Sequence, residues 1–272
     1  MLTLYHNALS TRSQKVRLVL AEKGIEFESK LIDFVSGQQH DPAYLKLNPK
    51  HVVPTLVVDG EVVRESSIIA EYLDARVETN PLTPEDPLQT AKMRMWVRRI
   101  DDDIHGRTSG VFTHAIWTRR AVGSRSPEEI EKYLSAIPEE GEREARRDLI
   151  ANGVASSRFA GAVSRMAAFL SEMEAALTDA EWLVGEQFTL ADIAAAPYVL
   201  RVSDTGLSGL WSEGRRPAVA DWLERLRKRP CFEKAVTAWI PPPLMTAMRS
   251  FGDALSAEIR QLIAAHDTEA SR

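Results

Sequence analysis

The stretch HVVPTLVVDGEVVRESSIIAEYL, residues 51 to 73, constrains the fold more than any other part of this chain. Pro54 interrupts an apolar run directly after Val53. A proline has no N–H to donate, so within a sheet it survives only at strand starts, edges or bulges. Strand character resumes at once over Thr55 to Val58. Asp59-Gly60 then makes a two-residue turn of the kind that needs positive φ, and Glu61 to Arg64 returns as the second arm of a hairpin. Glu65-Ser66-Ser67 opens a helix through Ile68, Ile69, Tyr72 and Leu73. A Val-Pro step beside a helix N-terminus brings free backbone groups and a positive dipole end together, which suits a small zwitterionic peptide.

The residues upstream complete an α/β unit over 1 to about 76. Leu2 and Leu4 alternate with Thr3 and Tyr5 as a short strand. A helix is predicted from about Thr11 to Lys23, with Gly24 as its C′ residue. Phe27 to Ile32 reads as a second strand. Strand, helix and strand in this order give a parallel crossover, and the Asp59-Gly60 hairpin closes the antiparallel side. Residues 77–87, VETNPLTPEDP, lack apolar periodicity and carry Pro81, Pro84 and Pro87, so they read as a linker. Everything beyond reads as helix. Met93, Trp96, Val97, Ile100 and Ile104 share one face, while residues 118 to 157 form a charge-rich excursion. Ser126-Pro127-Glu128-Glu129 has the spacing of a capping box. Thr189 and Asp192 suit another, with Phe188 and Ile193 placed for a hydrophobic staple. After Pro241-Pro242-Pro243 comes an amphipathic tail helix that needs a docking surface, on its own domain or on a partner subunit.

Bulk properties exclude several classes. The chain has 272 residues, enough for two cores, and a net charge of −5 from 34 basic and 39 acidic side chains. No basic stripe is visible, so neither nucleic acid nor an anionic membrane surface is expected as a partner. No apolar run approaches the roughly 20 residues of a membrane span, and MLTLYHNALS lacks a signal-peptide pattern. The single cysteine, Cys231, permits neither an internal disulfide nor a CxxC motif and fits a reducing cytoplasm.

Three groups of residues could carry chemistry. Ser10, Thr11 and Ser13 cluster where the first strand passes into the first helix. Thr11 with Gln14 has capping-box spacing, which makes Thr11 the expected N-cap and leaves Ser10 at the positive end of the dipole. A hydroxyl there can stabilise a thiolate supplied by a ligand, although all three hydroxyls can equally serve as helix caps. Ser66, with free N–H groups around it, suits a carboxylate, and Glu65 suits an amino group. A cis bond at Val53-Pro54 would turn the Val53 backbone toward a ligand edge; the sequence leaves the isomer open. Gln39 and His40 could reach a second carboxylate or simply form a polar loop. His105 and His114, with Asp101, Asp102 and Asp103, meet no metal-ligand spacing, so no metal is expected. Trp96, Phe112 and Trp117 are candidates for an apolar pocket, with core packing as the alternative.

Together these motifs resemble the glutathione transferases over residues 1 to about 235. SxxxxKVRLVLAEKG from Ser10, GQQ followed by LNPKHVVPTL, ES before a helix, and FTLADI occur in family order. The resemblance implies a thioredoxin-like α/β domain over 1–76, a linker over 77–87, an all-helical bundle domain over 88–235 that binds the electrophile, and a C-terminal extension over 236–272. It also implies a cytoplasmic homodimer with glutathione as cosubstrate, a cis Val53-Pro54 bond, and a hydrophobic, aromatic electrophile. By the same resemblance Ser10 matches the residue that hydrogen-bonds the glutathione thiolate, with Thr11 and Ser13 as alternates. Gln39 and His40 match positions at the glycyl carboxylate, Val53 and Pro54 at the cysteinyl unit, and Glu65 and Ser66 at the γ-glutamyl end. Val52 departs from the pattern, because a polar residue usually stands there. AIPEEGEREARRDLIANG from Ala136 is similar to bacterial β-etherases, which use the glutathione thiolate to displace a phenol from an aryl ether. A non-catalytic ligand-binding or protein-interaction domain of the same fold is the alternative.

Overall fold

The computed structural model describes residues 1–34, 36–212 and 214–270, so the last two residues of the expected extension lie outside it. The strands come first: β1 (Leu2–His6), α1 (Thr11–Glu22), β2 (Glu28–Leu31), a 3₁₀ turn (Gln38–His40), α2 (Pro42–Leu47), β3 (Thr55–Val58), β4 (Glu61–Val63) and α3 (Ser66–Arg76). The sheet order is β2-β1-β3-β4. β1 pairs parallel with β2, and the other two neighbours are antiparallel. Asp59 (φ 51°) and Gly60 (φ 96°) make the hairpin turn as the sequence indicates, and Gly24 (φ 64°) ends α1. The Val53-Pro54 bond is cis. This small mixed sheet with its helices is the expected thioredoxin-like domain.

The rest is helical: α4 (Pro87–Arg99), α5 (Gly110–Phe112), α6 (Arg119–Val122), α7 (Pro127–Ser135), α8 (Glu140–Asn152), α9 (Ser157–Leu177), α10 (Leu190–Asp204), α11 (Pro217–Arg227), α12 (Pro230–Ala235), α13 (Pro242–Ala254) and α14 (Ser256–Ala270). Ile100–Ser109 and Thr113–Thr118 are π-helical. The Thr108 hydroxyl follows that wider register by donating to Asp103 O, five residues back, at 3.0 Å.

By internal contacts the chain forms two compact units that interleave along the sequence. One holds Met1–Arg98, Asp179–Pro197 and Asp221–Pro241, and the other Arg99–Thr178, Tyr198–Ala220 and Pro242–Arg272. The sequential division expected at 76, 87 and 235 follows element type instead, with every strand of the described residues before 76.

In the first unit Leu4, Val16, Val19, Leu56, Ile69 and Leu73 are buried between sheet and helices. α1 is buried around its whole circumference, Lys15 and Arg17 included, so it carries no amphipathic stripe. Arg17 is satisfied by backbone carbonyls: Nε donates to Ala235 O at 2.7 Å, and the two Nη groups donate to Asn7 O and Ala8 O at 3.1 and 2.9 Å. Asp192 is buried as the N3 residue of α10 and accepts from Thr189 N at 3.0 Å, Leu183 N at 3.0 Å and Trp222 Nε1 at 2.9 Å. Thr189 Oγ1 in turn accepts from Ala191 N. Phe188, expected in a staple with Ile193, meets the Trp182 ring at 4.7 Å.

In the second unit the tail settles the docking question left by the sequence. Met248, Gly252, Ile259 and Ile263 are buried, Phe251 lies 5.4 Å from the Trp117 ring, and Gly252 approaches the Thr205–Gly206 backbone closely. The tail docks on its own helical unit.

Candidate functional site: the β1–α1 and α2–β3 loops

The local geometry at the start of α1 corrects one expectation. Ser10, not Thr11, is the N-cap: its backbone is extended (φ −66°, ψ 120°) and its Oγ accepts from Ser13 N at 3.3 Å. Thr11 has become the first helical residue, because Ser10 O already accepts from Gln14 N at 2.9 Å. The three hydroxyls are not equivalent. Ser13 is wholly buried and its Oγ accepts the Asn7 N–H at 3.2 Å; Thr11 is buried; Ser10 alone is half-exposed. The loop behind Ser10 is tied down by Asn7, whose side chain accepts from Leu9 N and donates to Ile32 O, both at 3.0 Å, and by Arg17 from beneath.

Arg17 also touches His6, the last residue of β1. A guanidinium only donates, so His6 Nδ1 accepts from Arg17 Nη1 at 3.0 Å and its Nε2–H donates to Ser29 Oγ at 2.8 Å. Burial, and then the Arg17 charge, lowers the His6 pKa to about 3, and burial lowers that of Arg17 to about 9.

The cis proline sits in a hydrogen-bonded frame built by α2 and its C-cap. Tyr44 OH donates to Val52 O at 2.6 Å and Asn48 Nδ2 donates to the same oxygen at 2.9 Å. Asn48 Nδ2 also reaches Thr55 Oγ1 at 3.0 Å, on the far side of Val53-Pro54. With both flanks pinned, the Val53 N–H and C=O make no hydrogen bond among the described residues. Tyr44, Val53 and Ile32 form the apolar support beneath. The Val52 side chain is 36% exposed and brings no polar atom to the loop.

The remaining candidates fall into two neighbouring groups. Glu65 caps α3 with positive φ (66°), Ser66 behind it is buried, and the Glu65 carboxylate meets Lys50 Nζ at 2.6 Å. His40 closes on His51, Nδ1 to Nδ1, at 2.9 Å. Gln39, also in the 3₁₀ turn, has a buried Oε1 with no hydrogen-bond partner among the described residues. Sequence reasoning passed over Lys50 and His51. The only signal for either is that the two precede the cis proline on a loop of known importance.

Trp96 belongs to the first compact unit, and Phe112 and Trp117 to the second. Phe112 is wholly buried, edge-on to Phe159 at 5.4 Å, so it packs an interior. Trp96 and Trp117 are half-exposed. In the second unit His105 Nδ1 lies 3.2 Å from Tyr198 OH, and His114 bonds Thr118 Oγ1 at 2.8 Å. Among the described residues no three His, Cys, Asp or Glu side chains gather as metal ligands, and no helix is long and apolar enough to cross a membrane.

A thioredoxin-like sheet with a cis proline directly before β3, a serine capping the first helix and a helix-rich remainder define the fold class. The glutathione S-transferase N-terminal domain model matches residues 9–76 and the C-terminal domain model residues 139–225. Together these cover more than half of the chain, which belongs to the glutathione S-transferase family. That membership carries glutathione transferase activity at the general level, with glutathione as cosubstrate. Protein LigF of Sphingobium sp. is 28% identical over 237 residues, covering 86% of this chain and 92% of LigF. The crystal structure of that β-etherase superposes with a TM-score of 0.77 at 27% identity, over 86% of this chain and 98% of LigF. Glutathione S-transferase GstB of Escherichia coli is 26% identical over 238 residues, 87% of this chain and 98% of GstB. FtsZ-localized protein A of Caulobacter vibrioides is 27% identical over 234 residues, 85% of this chain and 88% of that protein.

Proposed function

We propose that this protein is a cytoplasmic, homodimeric glutathione transferase of detoxifying type, whose glutathione thiolate displaces a phenol from an aromatic β-aryl ether. The observation that carries the reading is the state of Ser10. Its oxygen is already engaged as an acceptor from Ser13 N–H, and it is the one half-exposed hydroxyl of the three, so its own O–H is left to donate to a thiolate. The α1 dipole favours that charge. Thr11 and Ser13 remain alternates that burial disfavours. Gln39 and His40 would receive the glycyl carboxylate, Val53 and Pro54 the cysteinyl backbone, and Glu65 and Ser66 the γ-glutamyl end. The Lys50 ammonium on Glu65 would have to yield to, or share with, the ligand amine.

In the reaction the thiol gives its proton to solvent. The thiolate sulfur forms a bond to the carbon bearing the aryloxy group, and the C–O bond breaks. The phenolate leaves with the electron pair and is then protonated. The helical residues would supply the apolar surface for the electrophile; Trp96 in the first unit and Trp117 in the second are separate half-exposed candidates, and Phe112 is interior. The likeness to the β-etherase LigF supports this choice of substrate. A protein thiol is a poor rival nucleophile, because Cys231 is buried and burial, with Glu22 beside it, pushes its pKa up to about 12. Exposed Ile68 (56%), Leu88 (64%) and Met95 (71%), on α3 and α4 where Arg94 meets Glu71 at 3.1 Å, support a homodimer.

A glutathione-dependent assay comparing a β-aryl ether with a generic aryl halide tests the reading. Release of a phenol from the ether is expected, whereas turnover of the halide alone would leave a transferase of another substrate class. The likeness to FtsZ-localized protein A favours a second reading, a non-catalytic interaction domain. Retention on immobilised glutathione without turnover of any electrophile would select it.

A further inference from the structure

His51 stands in a backbone conformation that L-residues seldom adopt, φ 58°. That turn swings its half-exposed ring onto His40 across the loop, with Nδ1 to Nδ1 at 2.9 Å and ring centroids 5.0 Å apart. Two neutral imidazoles can make this contact in one way only: one Nδ1 carries the proton and the other accepts it. The donor ring then has a bare Nε2, and the acceptor ring has its proton on Nε2. If His51 donates, His40 offers an outward N–H to an anion. A further proton on the pair sits at the bare Nε2 of His51 and leaves the shared bond and the outward His40 N–H in place. Gln39, next in the chain, has a buried Oε1 with no hydrogen-bond partner among the described residues; as an acceptor it suits an N–H or O–H donor of a ligand, not its carboxylate.

We propose that His51 is a positioning residue for His40, and that the pair is a proton-linked anion site: closing on the glycyl carboxylate of glutathione fixes the His40 tautomer and draws one proton from solvent onto the two rings. This rests on the reading that His40 faces that carboxylate. The balance is simple: a neutral pair, a carboxylate and one proton give a singly charged pair bound to the carboxylate. Burial first, and the His51 ring second, hold His40 below the ordinary histidine value. An anion against His40 opposes both effects and raises it. The other charged groups on the flanking segments are accounted for. Asp41 accepts Ala43 N–H at the start of α2 and Lys50 closes on Glu65; Asp33 and Lys46 are the other charged residues of the flanking sequence. All stay unchanged in the variants below.

The test is isothermal titration of S-methylglutathione, which has no thiol to ionise, in buffers of different ionisation enthalpy between pH 6 and 7.5. The natural protein should take up a fraction of a proton that approaches one. Its affinity should strengthen toward pH 6, by at most about tenfold per pH unit, the ceiling for one linked proton. His51→Gly and His51→Asn both suit a left-handed backbone and should bind with a smaller proton uptake and a shallower pH dependence of affinity than the natural protein, their folding checked by circular dichroism. His51→Asn, which still offers an amide N–H to His40 Nδ1, should bind more tightly at pH 7.5 than His51→Gly. Binding without proton uptake in the natural protein, or equal uptake in folded His51→Gly, overturns the pair. Failure of S-methylglutathione to bind at any pH overturns the glutathione reading beneath it.

Discussion

Lys23 and Asp74 form an ion pair at 2.9 Å with side chains 0% and 6% exposed. It joins the C-terminal end of α1 to that of α3. Lys23 Nζ also donates to Asn80 O at 3.1 Å, and Asp74 Oδ1 accepts Leu82 N–H at 2.9 Å. Two helix ends and the Pro-rich stretch after α3 therefore share one buried charge network. Removing one member leaves the other charged and dry, which costs about 3–5 kcal/mol. We predict that Asp74→Ala lowers the unfolding free energy measured in urea by an amount in that range, and that Lys23→Met with Asp74→Leu recovers much of it. A single variant losing under about 1 kcal/mol would mean that water reaches the site.

The His6–Arg17 contact makes a prediction about acid. The folded pKa of His6, about 3, lies below the unfolded value of about 6.5. Between those values the unfolded chain binds the extra proton, so stability rises with pH there and is lost as pH falls below about 6.5. The limiting slope is about 1.4 kcal/mol per pH unit. His6→Asn keeps an oxygen acceptor for Arg17 but does not titrate. Urea unfolding at pH 7 and pH 5 should show the natural protein losing about 2 kcal/mol more than the variant. Parallel losses would place the acid sensitivity elsewhere.

How much of this was legible depends on the range of each interaction. The Asp59-Gly60 hairpin, the Gly24 stop and the Ser126–Glu129 capping box are set within a few residues, and all three stand as read. The thioredoxin-like sheet followed by helices was legible for the same reason. Thr11 was misassigned as N-cap because its spacing to Gln14 fits a capping box as well as that of Ser10 to Ser13, and only the backbone angles separate the two. Arg17 and Lys15 look like solvent-facing charges on a helix; the burial of α1 on all sides, and the carbonyls that receive Arg17, come from residues as distant as Ala235. His51 and Lys50 find their partners, His40 and Glu65, through loop geometry that no local pattern encodes. The π register of Ile100–Ser109 has no pattern in the residues either.

The tail docks through two glycines. A Cβ on Gly252 would lie 2.5 Å from Gly206 N, and Gly206 itself has positive φ (78°). Both obstacles are backbone, so neither side can swing aside. Gly252→Ala is expected to unseat α13 at a cost of about 1–3 kcal/mol, typical of overpacking. Limited proteolysis should then cut near Pro242, and the environment of Trp117, which faces Phe251, should change in near-ultraviolet circular dichroism. An unchanged digestion pattern would show that the helices can part without loss.

Ser10 carries two roles that substitution can separate. As N-cap it supports α1, and replacing it with alanine costs about 1 kcal/mol of stability, whereas glycine costs only a few tenths. As thiolate donor it has no substitute in either variant, and loss of one such donor reduces turnover by roughly 10²-fold or more. Ser10→Ala and Ser10→Gly should therefore differ in urea midpoint yet fall together in glutathione-dependent kcat. In both, the rising limb of the pH–rate profile should move to higher pH, because the bound thiol has lost a stabiliser of its ionised form. Ser10→Thr, which restores a hydroxyl at the cap, should recover part of the rate and return the limb toward lower pH. If activity instead followed stability, with Ser10→Gly nearly as active as the natural protein, Ser10 would be a cap alone, and the thiolate donor would have to be sought at Thr11 or Ser13.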